Sequence, residues 1–151
     1  MDWRRDAFRV TDRRETLDVA VIHDFLGKSY WARGIPRELL EKSIENSLCF
    51  GVFHDEGQVS VAQAGFCRVV TDRATFAYLA DVFILDTYRG RGLGKWLVEC
   101  VLGHPELQGL RRWILATRDA HGLYAQHGFL PVNNPERLME MVDPDVYLRQ
   151  S

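Results

Sequence analysis

A glycine-rich, basic run occupies residues 89–95 and reads Arg-Gly-Arg-Gly-Leu-Gly-Lys. Glycines let the backbone approach a ligand closely. The pattern that follows the run is helical, and the free N–H groups at a helix N-terminus, with the positive end of the dipole, bind anions. Arg89, Arg91 and Lys95 add positive charge. We therefore predict that this run binds phosphate groups, in preference to forming only a tight turn with a solvated basic rim.

Two common nucleotide-binding motifs do not fit this run. A P-loop requires a glycine where Arg89 stands and a hydroxyl residue where Trp96 stands. A dinucleotide-binding GxGxxG fingerprint requires its third glycine where Lys95 or Leu97 stands. The sequence therefore does not favour a nucleotide hydrolase or a dinucleotide-binding enzyme.

Composition and charge narrow the class of protein further. The chain has 151 residues, of which 46% are hydrophobic and 26% charged, which is typical of one globular domain. The net charge of −2 does not favour binding to nucleic acid. The longest apolar run, Phe76–Ala80, is far too short to cross a bilayer, and no secretory signal is seen. We therefore expect a cytoplasmic protein without nucleic-acid or membrane partners.

Cysteine and histidine spacing predicts neither disulfides nor a metal site. The three cysteines, Cys49, Cys67 and Cys100, form no CxxC pair and lie in apolar segments, so we expect them to be core residues. The five histidines show no spacing such as HExxH. We predict no catalytic metal.

The elements that position the glycine-rich run follow from periodicity and turn signals. Strands are predicted over Phe8–Val10, Leu48–Phe53, Ser60–Val70, Phe76–Leu85, Trp113–Ala116, Phe129–Val132 and Leu138–Val142, with a turn at residues 54–57. Helices are predicted over Leu17–Leu26, from Pro36 onward, from Leu93 to a stop at His104-Pro105, and from an Asp119 cap through His127. Three consecutive strands imply an antiparallel meander, and the later strand–helix–strand units imply parallel pairing. We therefore predict an α/β fold with a central mixed sheet.

Two motifs in this order resemble those of the GNAT N-acetyltransferases. Arg89-x-x-Gly92-x-Gly94 is similar to the family's acyl-CoA pyrophosphate loop, and residues 78–84 look like its fourth strand. Residues 123–129, LYAQHGF, are similar to its LYxxxGF motif. The resemblance covers residues 76–129 by motif and nearly the whole chain by order of elements. It implies a small, bacterial-type, single GNAT-like domain over residues 1–151, with a mixed sheet flanked by about four helices.

The resemblance also implies acetyl-CoA as co-substrate and assigns residues to it. Backbone groups of Phe83 and Ile84 would pair with the pantetheine arm, beside a bulge in the strand. Thr117 stands where many members carry an asparagine that contacts the pantetheine, and a hydroxyl could replace part of that contact. The pyrophosphate would be held by the loop, for which we name Arg89, Gly90, Arg91, Gly92, Leu93, Gly94 and Lys95.

Tyr124 and Asp81 are the predicted catalytic residues. Tyr124 would face the CoA sulfur, and a phenol with an ordinary pKa near 10 can protonate a departing thiolate at neutral pH. Asp81 interrupts an apolar strand, where a carboxylate needs a partner or a role. It could take the proton of the amine or hold a cationic substrate. The alternative is an Asp81 held by a structural partner, with a water chain as the base.

The predicted function is transfer of an acetyl group from acetyl-CoA to a primary amine, directly, in a ternary complex. Asp81, with Tyr30 and Trp31 bordering the acceptor site, favours a small cationic amine, since aromatic rings attract cations. Packing of a helix–helix corner is an equal explanation for the two aromatic residues. The alternative function is a non-catalytic module that binds acyl-CoA as a regulatory or structural ligand. As a partner we expect a small-molecule amine. The sequence leaves the oligomeric state open, although homodimers are common in proteins that resemble this one.

Overall fold

The fold is a six-stranded sheet with helices on both faces, in a computed structural model that describes residues 1–55 and 61–149. Its strands are β1 (Asp2–Arg5), β2 (Phe8–Thr11), β3 (Leu48–Asp55), β4 (Val61–Thr71), β5 (Phe76–Ile84) and β6 (Arg112–Ile114). The α-helices of the described residues are α1 (Val19–Gly27), α2 (Arg37–Glu45), α3 (Leu93–Leu102) and α4 (His121–Ala125). None of the helices described is long and apolar enough to cross a membrane.

The sheet opens between its last two strands. The strand order is β1-β2-β3-β4-β5-β6; neighbours from β1 to β5 are antiparallel, and β5 and β6 are parallel. This confirms the predicted mixed sheet. However, β6 pairs only with the first three residues of β5, Phe76–Tyr78. Beyond Tyr78, the edge of β5 that faces β6 has no strand partner among the described residues, so its backbone groups border an opening.

Helices cover both faces of the sheet and divide the core in two. One apolar cluster packs α3 against the sheet through Leu93, Leu97 and Val101. The other packs α1 and α2 through Ile22, Leu26, Leu40 and Ile44. Cys49, Cys67 and Cys100 are buried with free thiols, as expected for core residues.

A bulge at Asp81 changes which face of the sheet the alternate side chains of β5 occupy. The pairing of β4 with β5 shifts register there, from Arg68 opposite Ala80 to Phe66 opposite Phe83. Asp81 has φ +56°, a left-handed conformation that Asp and Asn tolerate better than most residues. As a result, Leu79 belongs to the α3 cluster whereas Phe83 belongs to the α1/α2 cluster. The bulge that the resemblance implied is present in the predicted strand.

The two ends of the chain differ from the prediction. The N-terminal hairpin has an additional strand, β1, whose mostly charged residues carry no apolar alternation. The predicted strands over 129–132 and 138–142 are wrong, because neither segment has a sheet partner within the described structure. Their apolar side chains are largely exposed; Leu130 is 82% exposed and Met139 is 97% exposed. Apolar alternation alone does not make a strand when no sheet edge is available to pair with it.

Two predicted boundaries also change. Asp119 does not cap the short helix α4; the Thr117 hydroxyl oxygen instead accepts the Ala120 N–H at 3.0 Å. In the predicted turn at 54–57, His54 and Asp55 continue β3, and the other two residues lie outside the described residues.

Candidate active site

A cleft of about 1300 Å³ lies where β5 and β6 part. It brings together most of the predicted site residues: Tyr30, Trp31, Asp81, Phe83, Ile84, Arg89, Gly90, Gly92, Leu93, Gly94, Thr117 and Tyr124. Arg91 and Lys95 are not among its lining residues. The Arg91 guanidinium carbon lies 5.9 Å from the Phe8 ring centroid and 6.0 Å from the Tyr88 ring centroid. The loop's backbone therefore faces the cleft, whereas two of its three cations do not.

The glycine loop presents a row of unused N–H groups at the start of α3. Gly90 and Gly92 have φ of +80° and +76°, conformations that other residues adopt only with strain. In the described structure, no acceptor bonds the backbone N–H groups of residues 90–95; the first bond at this end joins the Trp96 N–H to the Gly92 carbonyl oxygen. Consecutive free N–H groups at a helix N-terminus form an anion site. This geometry can bind an anionic group such as a phosphate.

Arg5 supports this loop, and the sequence analysis does not single it out. Its Nη2 donates to the Gly92 carbonyl oxygen at 3.1 Å. Its guanidinium also lies 4.9 Å from the centroid of the Trp96 ring. Arg5 therefore joins the first hairpin to the start of α3. A contact between residues 87 positions apart leaves no local sequence signal.

The strand end after the bulge runs along the cleft. Phe83 and Ile84 pair on one side with Phe66 and Gly65 of β4. The opposite edge lies past the last residue paired with β6 and has no strand partner among the described residues. The Ile84 carbonyl oxygen accepts Arg89 Nε at 3.2 Å, so an extended ligand would replace this side-chain bond. Gly65 permits this close packing, since a Cβ there would lie 2.6 Å from Ile84 Cδ1 and 2.7 Å from the Phe83 oxygen.

Tyr124 enters the cleft from the short helix α4. The residue is 8% exposed, and burial raises the pKa of its hydroxyl to about 12. None of the described residues hydrogen-bonds this hydroxyl. The phenol therefore stays protonated at neutral pH and is available to donate to a ligand in the cleft. Thr117 lies nearby in the chain, and the bond from the Ala120 N–H engages its oxygen but leaves its proton free to donate.

Asp81 is held by two partners at the bulge. Arg68 Nε donates to Oδ2 at 2.8 Å, and Trp31 Nε1 donates to Oδ1 at 2.9 Å. The Asp81 and Arg68 side chains are only 10% and 20% exposed. Each carboxylate oxygen already accepts a hydrogen bond, and the Arg68 cation offsets the charge. This is the structural-partner alternative that the sequence leaves open.

Tyr30 and Trp31 form a bridge across the cleft. The Tyr30 hydroxyl accepts the backbone N–H of Arg118 at 3.3 Å, and the Arg118 guanidinium lies 3.9 Å from the Tyr30 ring centroid. Trp31 reaches β5 through Asp81. The α1–α2 connector therefore contacts both walls. Lys42, Arg68, Tyr78 and Arg118 also line the cleft, and the sequence analysis assigns no role to them.

Among the residues described, no three histidine, cysteine or acidic side chains lie close enough together to hold a metal ion.

Known proteins match this chain closely enough to identify its family. The family model described as an acetyltransferase (GNAT) domain matches residues 45–131, more than half of the chain. A solved protein from Xanthomonas campestris pv. campestris, assigned to the GNAT acetyltransferases, is 48% identical with a TM-score of 0.87, covering 94% of this chain and 97% of its own. A Gibberella zeae protein named as an acetyltransferase is 29% identical over 144 residues, 83% of this chain and 80% of that protein.

A more distant neighbour shares the fold. It is a Mycobacterium tuberculosis protein solved in complex with CoA, 22% identical with a TM-score of 0.62, covering 82% of this chain and 72% of that one. With the family model and the 48% identical structure, the assignment is clear. The chain belongs to the GNAT acetyltransferase family and is an acyltransferase, as the two motifs predicted.

Proposed function

We propose that the protein transfers an acetyl group from acetyl-CoA directly to a primary amine, with both substrates bound in the cleft. The observation that carries the proposal is one cleft that holds both the free N–H groups of the glycine loop and the Tyr124 hydroxyl. The N–H groups can bind a pyrophosphate, and the hydroxyl can donate a proton. Binding of CoA by a neighbour of the same fold supports acetyl-CoA as the co-substrate.

The arrangement suggests how the chain holds acetyl-CoA. The N–H groups of residues 90–95 would bind the pyrophosphate, with Arg89 at the rim of the cleft. The backbone of Phe83 and Ile84 would pair with the pantetheine arm once Arg89 Nε releases the Ile84 carbonyl oxygen, and the Thr117 hydroxyl would donate to the arm. The side chains of Arg91 and Lys95 lie outside the cleft lining, so these two residues would contact the pyrophosphate through their backbone N–H groups alone.

The chemical step exchanges one bond for another. The amine nitrogen attacks the thioester carbon, so that a C–N bond forms and the C–S bond breaks. The nitrogen loses one proton, and Tyr124 supplies one proton to the departing thiolate. The products are an N-acetylated amine and CoA thiol, and Tyr124 recovers its proton from solvent. Because burial raises the pKa of Tyr124 to about 12, the donor is in its acid form throughout the working range of pH.

Water, rather than Asp81, takes the proton of the amine in this proposal. The pairing of Asp81 with Arg68 and Trp31 supports a positioning role, in which the carboxylate fixes the bulge that sets Phe83 and Ile84. The predicted cationic acceptor depended on an uncompensated Asp81 charge. With Arg68 offsetting that charge, the expectation loses its main support.

The cytoplasmic location and the homodimer stay predictions. Apolar side chains left exposed in the C-terminal segment, such as Leu130, Met139 and Met141, support a partner surface there.

Release of CoA thiol tests the proposal. Acetyl-CoA is mixed with the protein and a panel of amines, and free thiol is recorded with and without each amine. We expect release that depends on the amine and on the protein. The binding-module alternative predicts a raised Tm with acetyl-CoA but no amine-dependent release. A Tm that millimolar acetyl-CoA does not move would overturn both functions.

A further inference from the structure

Two cations, Lys42 and Arg68, line one end of the cleft and take no part in the proposed binding of CoA. Arg68 is paired opposite Ala80, four residues before Ile84 on β5. At about 3.3 Å per residue this places Arg68 up to roughly 13 Å along the strand from Ile84. Ile84 borders the glycine loop, since a Cβ at Gly94 would lie 3.8 Å from Ile84 Cγ1. Acetyl-CoA bound from the loop would therefore point its thioester toward this end, where the acceptor must enter.

Lys42 belongs to the same end because α2 finishes beside Arg68. Arg68 Nη1 donates to the Ser47 hydroxyl at 3.2 Å, just after the last residue of α2. Lys42 lies in the last turn of that helix, and its neighbours Ser43 and Asn46 also line the cleft. One helix turn thus presents a cation and two polar side chains to the acceptor end.

The charge at this end is positive although the whole chain carries −2. Asp81 is neutralised by Arg68, so the pair adds no net charge. Among the described residues, no carboxylate lies within ion-pair distance of Lys42; on the same helix, Glu41 pairs with Arg37 instead. On the opposite wall, the charges of Arg118 and Asp119 are opposite, so these two residues together add no net charge. A polyamine would meet an uncompensated cation here, whereas an anionic group would meet a partner.

We propose that the acceptor amine carries an anionic group, a carboxylate or a phosphate, and that Lys42 binds it beside Arg68. This inference deepens the proposed acetyl transfer and rests on it. Anchoring the anion near α2 would orient the amine toward the thioester and Tyr124. Lys42 is then a specificity-determining residue, whereas Arg68 combines this contact with its hold on Asp81.

A purely structural role for Lys42 makes a different prediction. A cation in the last turn of a helix stabilises it through the helix dipole. That role would change the Tm of a Lys42 variant slightly and leave the choice of acceptor unchanged. Lys42 is also the better residue to test, because a change at Arg68 would release Asp81.

Calorimetric titration of matched amine pairs tests the proposal. Phosphoethanolamine is compared with ethanolamine, and β-alanine with β-alaninamide, in protein saturated with CoA and again without CoA. We expect at least one anionic member to bind about tenfold or more tightly than its partner, the effect of a charge-assisted hydrogen bond. The two pairs distinguish phosphate from carboxylate. Lys42→Glu should remove the preference, and Lys28→Glu, the same charge change on exposed Lys28 of the α1 terminus, should keep it.

Two results would overturn the inference. One is equal affinity within both pairs, including no binding by any member. The other is a preference that survives Lys42→Glu or is lost equally in Lys28→Glu. Failure of the proposed function looks different: the anion preference would be present, but acetyl-CoA and the same amines would release no CoA.

Discussion

Replacing Asp81 by Asn tests whether this residue acts as the catalytic base or as a positioning residue. Asn keeps the left-handed conformation at φ +56° and nearly the same volume, so the change is chiefly one of charge. The variant leaves the Arg68 cation without a counterion in a site where the two side chains are 10% and 20% exposed. Breaking a fully buried pair costs about 3–5 kcal/mol, and partial exposure reduces this to about 2–4 kcal/mol. For a domain of this size, we expect the Tm to fall by about 5–15 °C.

A double-mutant cycle gives the assay its control. Arg68→Met alone leaves the Asp81 carboxylate without its cation partner, and the double variant Arg68→Met/Asp81→Asn removes both charges. Because uncharged replacements of a buried pair are often nearly neutral, the double variant should recover about 2 kcal/mol relative to the sum of the single losses. Chemical unfolding of the four proteins measures this coupling. Losses that add within about 0.5 kcal/mol would refute the structural pairing.

Kinetics of the same variant complete the test. A positioning role predicts that Asp81→Asn raises the Kd of acetyl-CoA, because the bulge no longer holds Phe83 and Ile84 in place. A base role predicts instead that Kd is unchanged while kcat/KM falls about 10²- to 10⁴-fold. If stability and Kd are unchanged while kcat/KM falls by this amount, Asp81 is the base that takes the proton of the amine.

Three further predictions concern the loop, the acid and the thiols. Gly92→Glu should abolish the rise in Tm with acetyl-CoA, because it adds a negative charge beside the loop N–H groups and puts a Cβ 3.6 Å from Arg5 Nη2, which holds the Gly92 carbonyl oxygen. Gly109→Glu, at φ +75° with open space around it, has comparable backbone strain and should keep the rise. Tyr124→Phe should lower kcat about 10²- to 10⁴-fold without changing the Kd of acetyl-CoA. The wild-type rate should show no alkaline decline below pH 10, because the pKa of Tyr124 is about 12. An alkaline decline that Tyr124→Phe removes would contradict this assignment. Burial raises the pKa of Cys49 and of Cys100 to about 12 from 9.0, so the unfolded chain loses those protons first and stability should fall as pH rises above 9, by up to about 1.4 kcal/mol per pH unit for each thiol. Urea midpoints in a reducing buffer that stay constant from pH 8 to 10 would contradict the last prediction.

Local patterns predicted the elements that form the glycine-loop side of the cleft. The 3.6-residue spacing from Leu93 marks α3, the β-rich run from Phe76 marks β5, and the glycines between them mark the anion loop. The two motifs then identified the family, because they report local backbone geometry that a short sequence can specify. Tyr124 lines the cleft, and its position at the CoA sulfur stays a prediction.

The acceptor side could not be read in the same way, because it depends on long-range register. Arg68 meets Asp81 only because β4 and β5 pair with a bulge between them, and neither residue carries a signal of the other. Lys42 reaches the cleft through the packing of α2, which the helical pattern of that segment does not indicate. The apolar alternation near the C-terminus failed for the converse reason, since a strand also needs an edge to pair with.

The most direct test of acetyl transfer is simultaneous measurement of acetylated amine and CoA thiol in one reaction. Mass spectrometry quantifies the acetylated amine, and a thiol reagent quantifies CoA, with phosphoethanolamine and β-alanine as first acceptors. Direct transfer in the cleft predicts equal amounts of the two products, no acetylated protein, and loss of both products together in Gly92→Glu. CoA release at the same rate with and without amine, or acetyl groups found on the protein instead of the acceptor, would contradict it.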